Sequence, residues 1–373
     1  MAIPMLDLKG QYKKIKPEID AAIQQVLDNS NFINGSEVNE FEINLAEYLN
    51  SRYVIACANG TDALQIAMMA LELKPGDEVI VPAFTYAATA EVVGLLGLVP
   101  VLVDVDPGTF NIKIEDIEPS ISNKTKAIVP VHLFGQTCDM ERIMEIAGRH
   151  NLFVIEDNAQ ALGAKYTYSD GREVYAGTIG HIGCTSFFPT KNLGCYGDGG
   201  AIFTQDKELA SKIRMVTDHG QKVKYFHDII GCNSRLDTIQ AAVLNIKLSH
   251  LDEYSVARYR FAQRYKQLLK GVDGIIVPEE SGNSTHVYHQ FTILVKGRRD
   301  ELRQYLTEKG ITSMIYYPMS LNNQKAFGKI SEIRVSLDNS EYLADQVLSL
   351  PMHTELKDED QITICKAISD FCK

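Results

Sequence analysis

The chain has 373 residues, with 37 Lys+Arg against 48 Asp+Glu, a formal balance of −11. Its 45% hydrophobic and 23% charged residues describe a soluble globular protein of two or three domains and exclude a disordered chain. The acidic balance excludes a general nucleic-acid binder or an anionic-membrane binder, both of which need positive surface.

Met1 to Asp20 carries lysines and acids but no apolar core of a secretory signal. The most apolar stretch, Val92 to Val103, is interrupted by Gly94, Gly97 and Pro100 and falls short of the roughly 18–20 residues a spanning helix needs. The seven cysteines are odd in number, scattered and without a C-x-x-C pair, which argues against a zinc ribbon or disulfide scaffold and for a reducing cytoplasm.

In chain order, Pro17–Asn29 and Val38–Leu49 read as helices, with Pro17 suited to a first helical position. Tyr53–Cys57 reads as a strand, Thr61–Leu71 as a helix, Glu78–Val81 as a strand, Ala87–Leu96 as a helix and Val101–Val103 as a strand. Ala127–Val131, helix Met140–His150 and Phe153–Ile155 continue the rhythm. Apolar strands separated by helices indicate a mostly parallel sheet covered on both faces. From Tyr166 to Gly200 the chain is rich in Gly and Thr, with short apolar pieces at Cys184–Phe188 and Ala201–Phe203. Helices resume at Lys207–Val216 and run through Leu236–Leu269. A strand-like Gln290–Val295 and helical Asp300–Lys309, Glu341–Leu348 and Asp360–Phe371 follow. The expected organisation is a large α/β domain over 1–248 and a smaller α+β domain over 249–373.

In such sheets ligands bind beyond the carboxyl ends of the strands, so residues just after strands come first. Asn59-Gly60-Thr61-Asp62 opens a helix after a strand; its free N–H groups suit an anion, although Thr61 or Asp62 as a simple cap is the commoner explanation of such a segment taken alone. Glu156 and Asp157 end a buried-type strand, as site acids or as a cap or solvated pair. Lys191 lies amid apolar and small residues in Ser186–Gly194. Desolvation there would lower its pKa, as a Schiff-base lysine requires; an ordinary surface lysine is the alternative. The glycines of Gly194–Gly200 match neither a dinucleotide fingerprint nor a P-loop. His286 and His289 lack the partners a metal would need, so no metal site is expected.

The helix start, the acid ending a strand, and a Ser five residues before a lone Lys together suggest pyridoxal phosphate (PLP). With Asn59–Leu64, Pro82–Ala90, Ser186–Gly200 and Gly231–Asp237, the chain resembles the DegT/DnrJ/EryC1/StrS sugar aminotransferases, of the aspartate-aminotransferase fold (PLP fold type I). Ser186–Gly200 and His219-Gly220-Gln221 are most similar to the branch acting on UDP-2-acetamido-2-deoxy-3-oxo-glucuronate. The resemblance implies that Lys191 holds the cofactor as a Schiff base and shuttles the proton, and that Asp157 pairs with the ring nitrogen. Gln160 would bond the phenolic oxygen, and Tyr86 and Ala159 would flank the ring. Gly60, Thr61 and Ser186 would hold the phosphate, completed by Asn233 of the neighbouring subunit in a homodimer.

Arg235 is the candidate for a substrate carboxylate or diphosphate. The branch usually carries His-Tyr-Pro where this chain has Tyr316-Tyr317-Pro318, which alters a candidate sugar contact. The implied reaction moves the amino group of L-glutamate to the 3-keto group of a UDP-linked sugar. Amination of a 4-keto or dTDP-linked sugar, or a non-catalytic sugar-nucleotide-binding regulator, are the alternatives; a dehydratase would carry His in place of Lys191.

Overall fold

The structure, a computed structural model, describes residues 2–373, leaving Met1 outside. Its centre is an eight-stranded sheet in the order Tyr53–Cys57, Gly200–Thr204, Ile182–Ser186, Phe153–Asp157, Thr125–Ile128, Glu78–Pro82, Val99–Val103 and Glu332–Ile333. The pairings from Ile182–Ser186 to Glu332–Ile333 are parallel, and only the two joining Tyr53–Cys57 and Gly200–Thr204 to the rest are antiparallel. The α/β, mostly parallel architecture is therefore present. Successive strand residues face opposite ways: Val79 and Val81 pack with Ala63, Ala67 and Ile213, whereas Ile80 packs with Met140, Ile143 and Ala147. Strands covered on both faces have no polar side to show, which is why they read as unbroken apolar runs.

A second, antiparallel sheet joins Ile275–Ile276, Phe291–Val295 and Val347–Leu350. Phe261, Tyr265, Leu302, Leu306, Ile364 and Ile368 from three helices cover it, giving the smaller α+β unit. A division at 248/249 does not separate all contacts. Glu332–Ile333 returns to pair with Val99–Val103, and Arg334 grips Glu78 of the large sheet through two nitrogens at 2.6 and 2.9 Å. Asp104 accepts the Asn339 and Ser340 N–H groups at 3.0 and 2.8 Å, capping helix Asp338–Gln346 from outside it.

Two expectations need correction. The first helix starts at Leu8, with Asp7 capping Gly10 N–H at 2.8 Å, so Pro17 lies inside it. The missing N–H and the bulk of the proline ring disrupt the turn before it, and Ile15 has non-helical φ −112° and ψ 15°. The helical stretch Leu236–Leu269 is present, as Thr238–Leu248 and Leu251–Leu268. The expected helix Glu341–Leu348 ends at Gln346, and Val347–Leu350 is a strand on Phe291–Val295; a short apolar run has no periodicity to tell the two apart. Among the described residues no helix is long and apolar enough to cross a membrane, and no cluster of His, Cys, Asp or Glu is placed to hold a metal ion.

The Arg334 guanidinium, with the Ser122 and Thr125 hydroxyls, outweighs burial and holds the Glu78 carboxyl down at about 2. Its charged form is favoured in the folded state, so this stabilisation is present above the ordinary value of 4.5 and is lost as pH falls toward about 2. Glu78→Gln is expected to lower unfolding free energy by about 2 kcal/mol at pH 7, and the deficit should shrink across that acid window in denaturant titrations.

Candidate active site

Helix Gly60–Ala70 begins directly after strand Tyr53–Cys57, and its cap is Asn59, whose Oδ1 accepts the Asp62 N–H at 2.8 Å. Neither Thr61 nor Asp62 performs that task. The first N–H to reach a carbonyl is that of Ala63, to Asn59 at 3.1 Å. The Gly60 and Thr61 N–H groups precede it, at the positive end of the helix. A Cβ at residue 60 would lie 2.6 Å from the Ser186 Cβ, so glycine is required for the helix start to meet the end of strand Ile182–Ser186. Two N–H groups and a serine hydroxyl thus converge on one edge of a cavity of about 460 Å³, within the usual range for small-ligand sites.

Strand alternation separates the two acids. Glu156 turns into the protein, where it accepts the Gly177 and Ile179 N–H groups at 2.8 and 2.7 Å and meets His132 Nε2 at 2.8 Å. Asp157 turns into the cavity and is only 6% exposed. Its Oδ2 accepts the Thr89 hydroxyl at 2.8 Å and its Oδ1 the Ala159 N–H at 3.2 Å. Each oxygen keeps a lone pair for a further donor.

Lys191 reaches the same cavity from a loop that folds back on itself. Phe187 N–H donates to Gly199 at 2.7 Å, Cys195 N–H to Phe187 at 2.8 Å and Lys191 N–H to Phe188 at 2.8 Å. Burial pushes the Lys191 amine down to about 8, against the opposing pull of Asp157. Removing an ammonium from water disfavours its charged form, and Asp157 is too weak a counterweight to restore it.

Gln160, Tyr86, Tyr316 and Tyr317 also line the cavity. Gln160 Nε2 donates to the Tyr317 hydroxyl at 3.1 Å and its Oε1 accepts the Phe134 N–H at 2.9 Å, leaving one N–H uncommitted. Tyr86 is 59% exposed, with its ring 6.1 Å from that of Tyr317. Asn233 and Arg235 do not line this cavity. Asn233 is exposed, and Arg235 approaches Asp218 at 3.5 Å.

Thr89, behind Asp157, and His289 and Gln290, on the cavity wall, were not assigned to the site from the sequence. Thr89 bonds Asp157, and its place one helical turn after Thr85-Tyr86 was the available signal. His289 and Gln290 form a wall from the smaller sheet. Arg258 Nη1 supports that wall by donating to the Tyr288 and His289 carbonyls at 3.1 and 3.3 Å. Burial, aided by the charge of Lys191, drives His289 well below its ordinary value, so its imidazole is neutral. Nothing local in the sequence distinguishes these side chains from core residues.

A family model described as the DegT/DnrJ/EryC1/StrS aminotransferase family matches residues 13–369. A pleiotropic regulatory protein of Geobacillus stearothermophilus is 47% identical over 100% of this chain and 99% of its own. UDP-2-acetamido-2-deoxy-3-oxo-D-glucuronate aminotransferase of Pseudomonas aeruginosa is 46% identical over 99% and 100%. The crystal structure of S. venezuelae DesV in complex with a ketimine intermediate superposes with a TM-score of 0.95 at 39% identity, covering 100% of this chain and 99% of that one.

The narrow gap between residues 60 and 186 generates a direct expectation. Gly60→Ala should leave the far-ultraviolet circular dichroism unchanged while weakening pyridoxal phosphate binding at least about tenfold, because the added methyl displaces Ser186 and two backbone donors together. Equilibrium dialysis against the cofactor reads the effect.

Proposed function

The chain belongs to the DegT/DnrJ/EryC1/StrS aminotransferase family, PLP-dependent enzymes acting on nucleotide sugars, and on that premise we propose that it moves the amino group of L-glutamate to the 3-keto group of a UDP-2-acetamido-2-deoxy-3-oxo-hexuronate. The product would serve surface polysaccharide or lipopolysaccharide synthesis. The observation that carries the reading is the pair Lys191 and Asp157 facing one cavity beside the Gly60–Ser186 cradle. A regulator that only bound a sugar nucleotide would have no use for a desolvated amine, although a relative of similar identity is named for regulation.

The residues present fit the cofactor. Gly60, Thr61 and Ser186 would hold its phosphate, Asp157 the ring nitrogen, Gln160 the phenolic oxygen, and Tyr86 one face of the ring. When bound, PLP supplies an electron sink for the carbanion left by proton removal. Lys191, with its value lowered to about 8, has an appreciable unprotonated fraction near neutral pH. That amine takes the α-proton of glutamate and, in the second half-reaction, returns a proton to the sugar carbon. Asp157, held by Thr89 and the Ala159 N–H, would be aimed at the ring nitrogen. Tyr316 and Tyr317 would bear on the sugar at the mouth. Regiochemistry depends on how the sugar lies there, so a 4-keto or dTDP-linked 3-keto sugar is the second reading.

Asn233 and Arg235 lie off this chain's own cavity, and a hairpin at 221–227 exposes Val223, Tyr225 and Phe226, with Ile230 just beyond. Both features support a homodimer in which Asn233 of the partner subunit completes the phosphate site and Arg235 of the partner subunit receives a substrate anion.

A donor and acceptor screen tests the reading: glutamate with the UDP-3-keto-uronate should give 2-oxoglutarate and the 3-amino sugar, whereas turnover confined to 4-keto or dTDP sugars would replace it. Subunit mixing tests the dimer. Lys191→Ala and Asn233→Ala homodimers should each be nearly inactive. A random mixture should recover about a quarter of wild-type turnover, from the half of dimers that pair the two types and hold one intact site. No recovery in verified mixed dimers would argue against shared sites.

A further inference from the structure

Lys247 lies on helix Thr238–Leu248 and is 1% exposed. Among the described residues no carboxylate reaches it within ion-pair distance. Its ammonium donates instead to the Gly194 carbonyl and stands 5.2 Å from the centre of the Tyr196 ring. Burial lowers it to about 8, with little help from its surroundings. An unpaired ammonium is expensive to bury, and the site is otherwise apolar, because Leu244, Leu248, Leu193 and Cys195 share one cluster. A methionine would fill the same space without that penalty. What the ammonium adds is a grip on residues 194 and 196.

Those residues form the return leg of the loop that carries Lys191. At Gly194 the chain passes so close to its own outgoing leg that a Cβ would lie 2.6 Å from the Pro189 carbonyl oxygen. Two positions later, Gln240 Oε1 accepts the Tyr196 N–H at 2.8 Å and Gln240 Nε2 donates to the Tyr196 carbonyl at 3.4 Å. Gln240 and Lys247 are seven residues apart, hence on one face of their helix. Leu193 and Cys195 bury the loop, and its own backbone bonds, Phe187 N–H to Gly199 and Cys195 N–H to Phe187, close it on itself without fixing it to the helix beneath. The bonds from Lys247 and Gln240 to Gly194 and Tyr196 tie that return leg to helix Thr238–Leu248, and Lys191 sits on the outgoing leg.

We propose that Lys247, with Gln240 as a second clasp, is a positioning residue for Lys191, holding the return leg of its loop so that the reactive amine meets the cavity in one orientation. This rests on the reading of Lys191 as the cofactor lysine. Neither side chain touches the cavity, so the effect passes through the loop backbone alone.

The test compares Lys247→Met, which keeps volume and removes the donor, and Gln240→Leu with wild type as holoenzymes. Each is followed through the pH titration of the visible cofactor band and through steady-state kinetics with glutamate. Lys247→Met should move the midpoint of that band by about half a pH unit or more, and Gln240→Leu in the same direction by less. It should lower kcat about tenfold while the glutamate KM stays within about twofold. An unchanged midpoint in Lys247→Met, with or without a loss of thermal stability, overturns the proposal, since a merely structural lysine predicts that result. If Lys247→Met does not fold, an unchanged midpoint in Gln240→Leu overturns it. Lys191→Ala serves as the reference: retention of the band there overturns the assignment of Lys191 itself, whereas its loss alongside unshifted Lys247 and Gln240 variants overturns only the clasp.

Discussion

Between Phe153–Asp157 and Ile182–Ser186 the parallel ladder sets Ile155 beside Ile182 and Asp157 beside Cys184. Ser186 then ends its strand two residues beyond that level, and antiparallel pairing places it opposite Gly200. A Cβ at Gly200 would lie 2.5 Å from the Asn59 carbonyl group, so the neighbouring strand must come close to the helix start at Gly60. A shift of one residue in that first ladder would turn the alternating side chains of a strand over. Glu156 would then face the cavity, and Asp157 the interior, where His132 and the Gly177, Ile179 and Gly180 N–H groups await a carboxylate. The acid, the phosphate-type cradle and the lysine loop therefore depend on one register.

The charge of the chain and the charge of its ligands point in opposite directions. A protein with a balance of −11 takes an anionic cofactor, and the donors proposed to meet it are mainly neutral: backbone N–H groups, hydroxyls and an amide. Such donors act at contact distance and gain strength where water is excluded, so the net charge of the surface has little say. Burial lowers the amine of Lys191 to about 8, so part of it is unprotonated near neutral pH. Arg258 stands behind the His289 wall, and Arg235 lies away from this chain's own cavity.

Much of this was legible in the sequence. Strands buried on both faces announce themselves as apolar runs, and helix Met140–His150 was bounded correctly because Asp139 caps it and Asn151 ends it in a left-handed conformation. Lys191, Asp157, Gly60, Thr61 and Ser186 follow strands or open a helix, where ligands bind in such sheets, and the family resemblance gave each a role. What could not be read depends on distant contacts. Val347–Leu350 is a strand only because Phe291–Val295 accepts it. Asn59 rather than Thr61 caps its helix through a choice among three polar neighbours that propensity does not make. Thr89, His289 and Gln290 acquire meaning only when sheet and loops converge, and Lys247 looks like any surface lysine until its burial is seen.

The wall carrying Tyr316 and Tyr317 is stitched at both ends. Met314 exchanges two backbone hydrogen bonds with Ser349 of the smaller sheet, at 3.1 and 2.7 Å, and Leu321 N–H donates to Ala83 beside the large sheet at 2.8 Å. Farther along, Arg334 and the Asp104 cap bind the same segment to the large sheet. A flap tied to two bodies cannot travel with either one alone. Tyr316 and Tyr317 thus stand on a segment anchored to both sheets, and the mouth they line is framed from two sides at once.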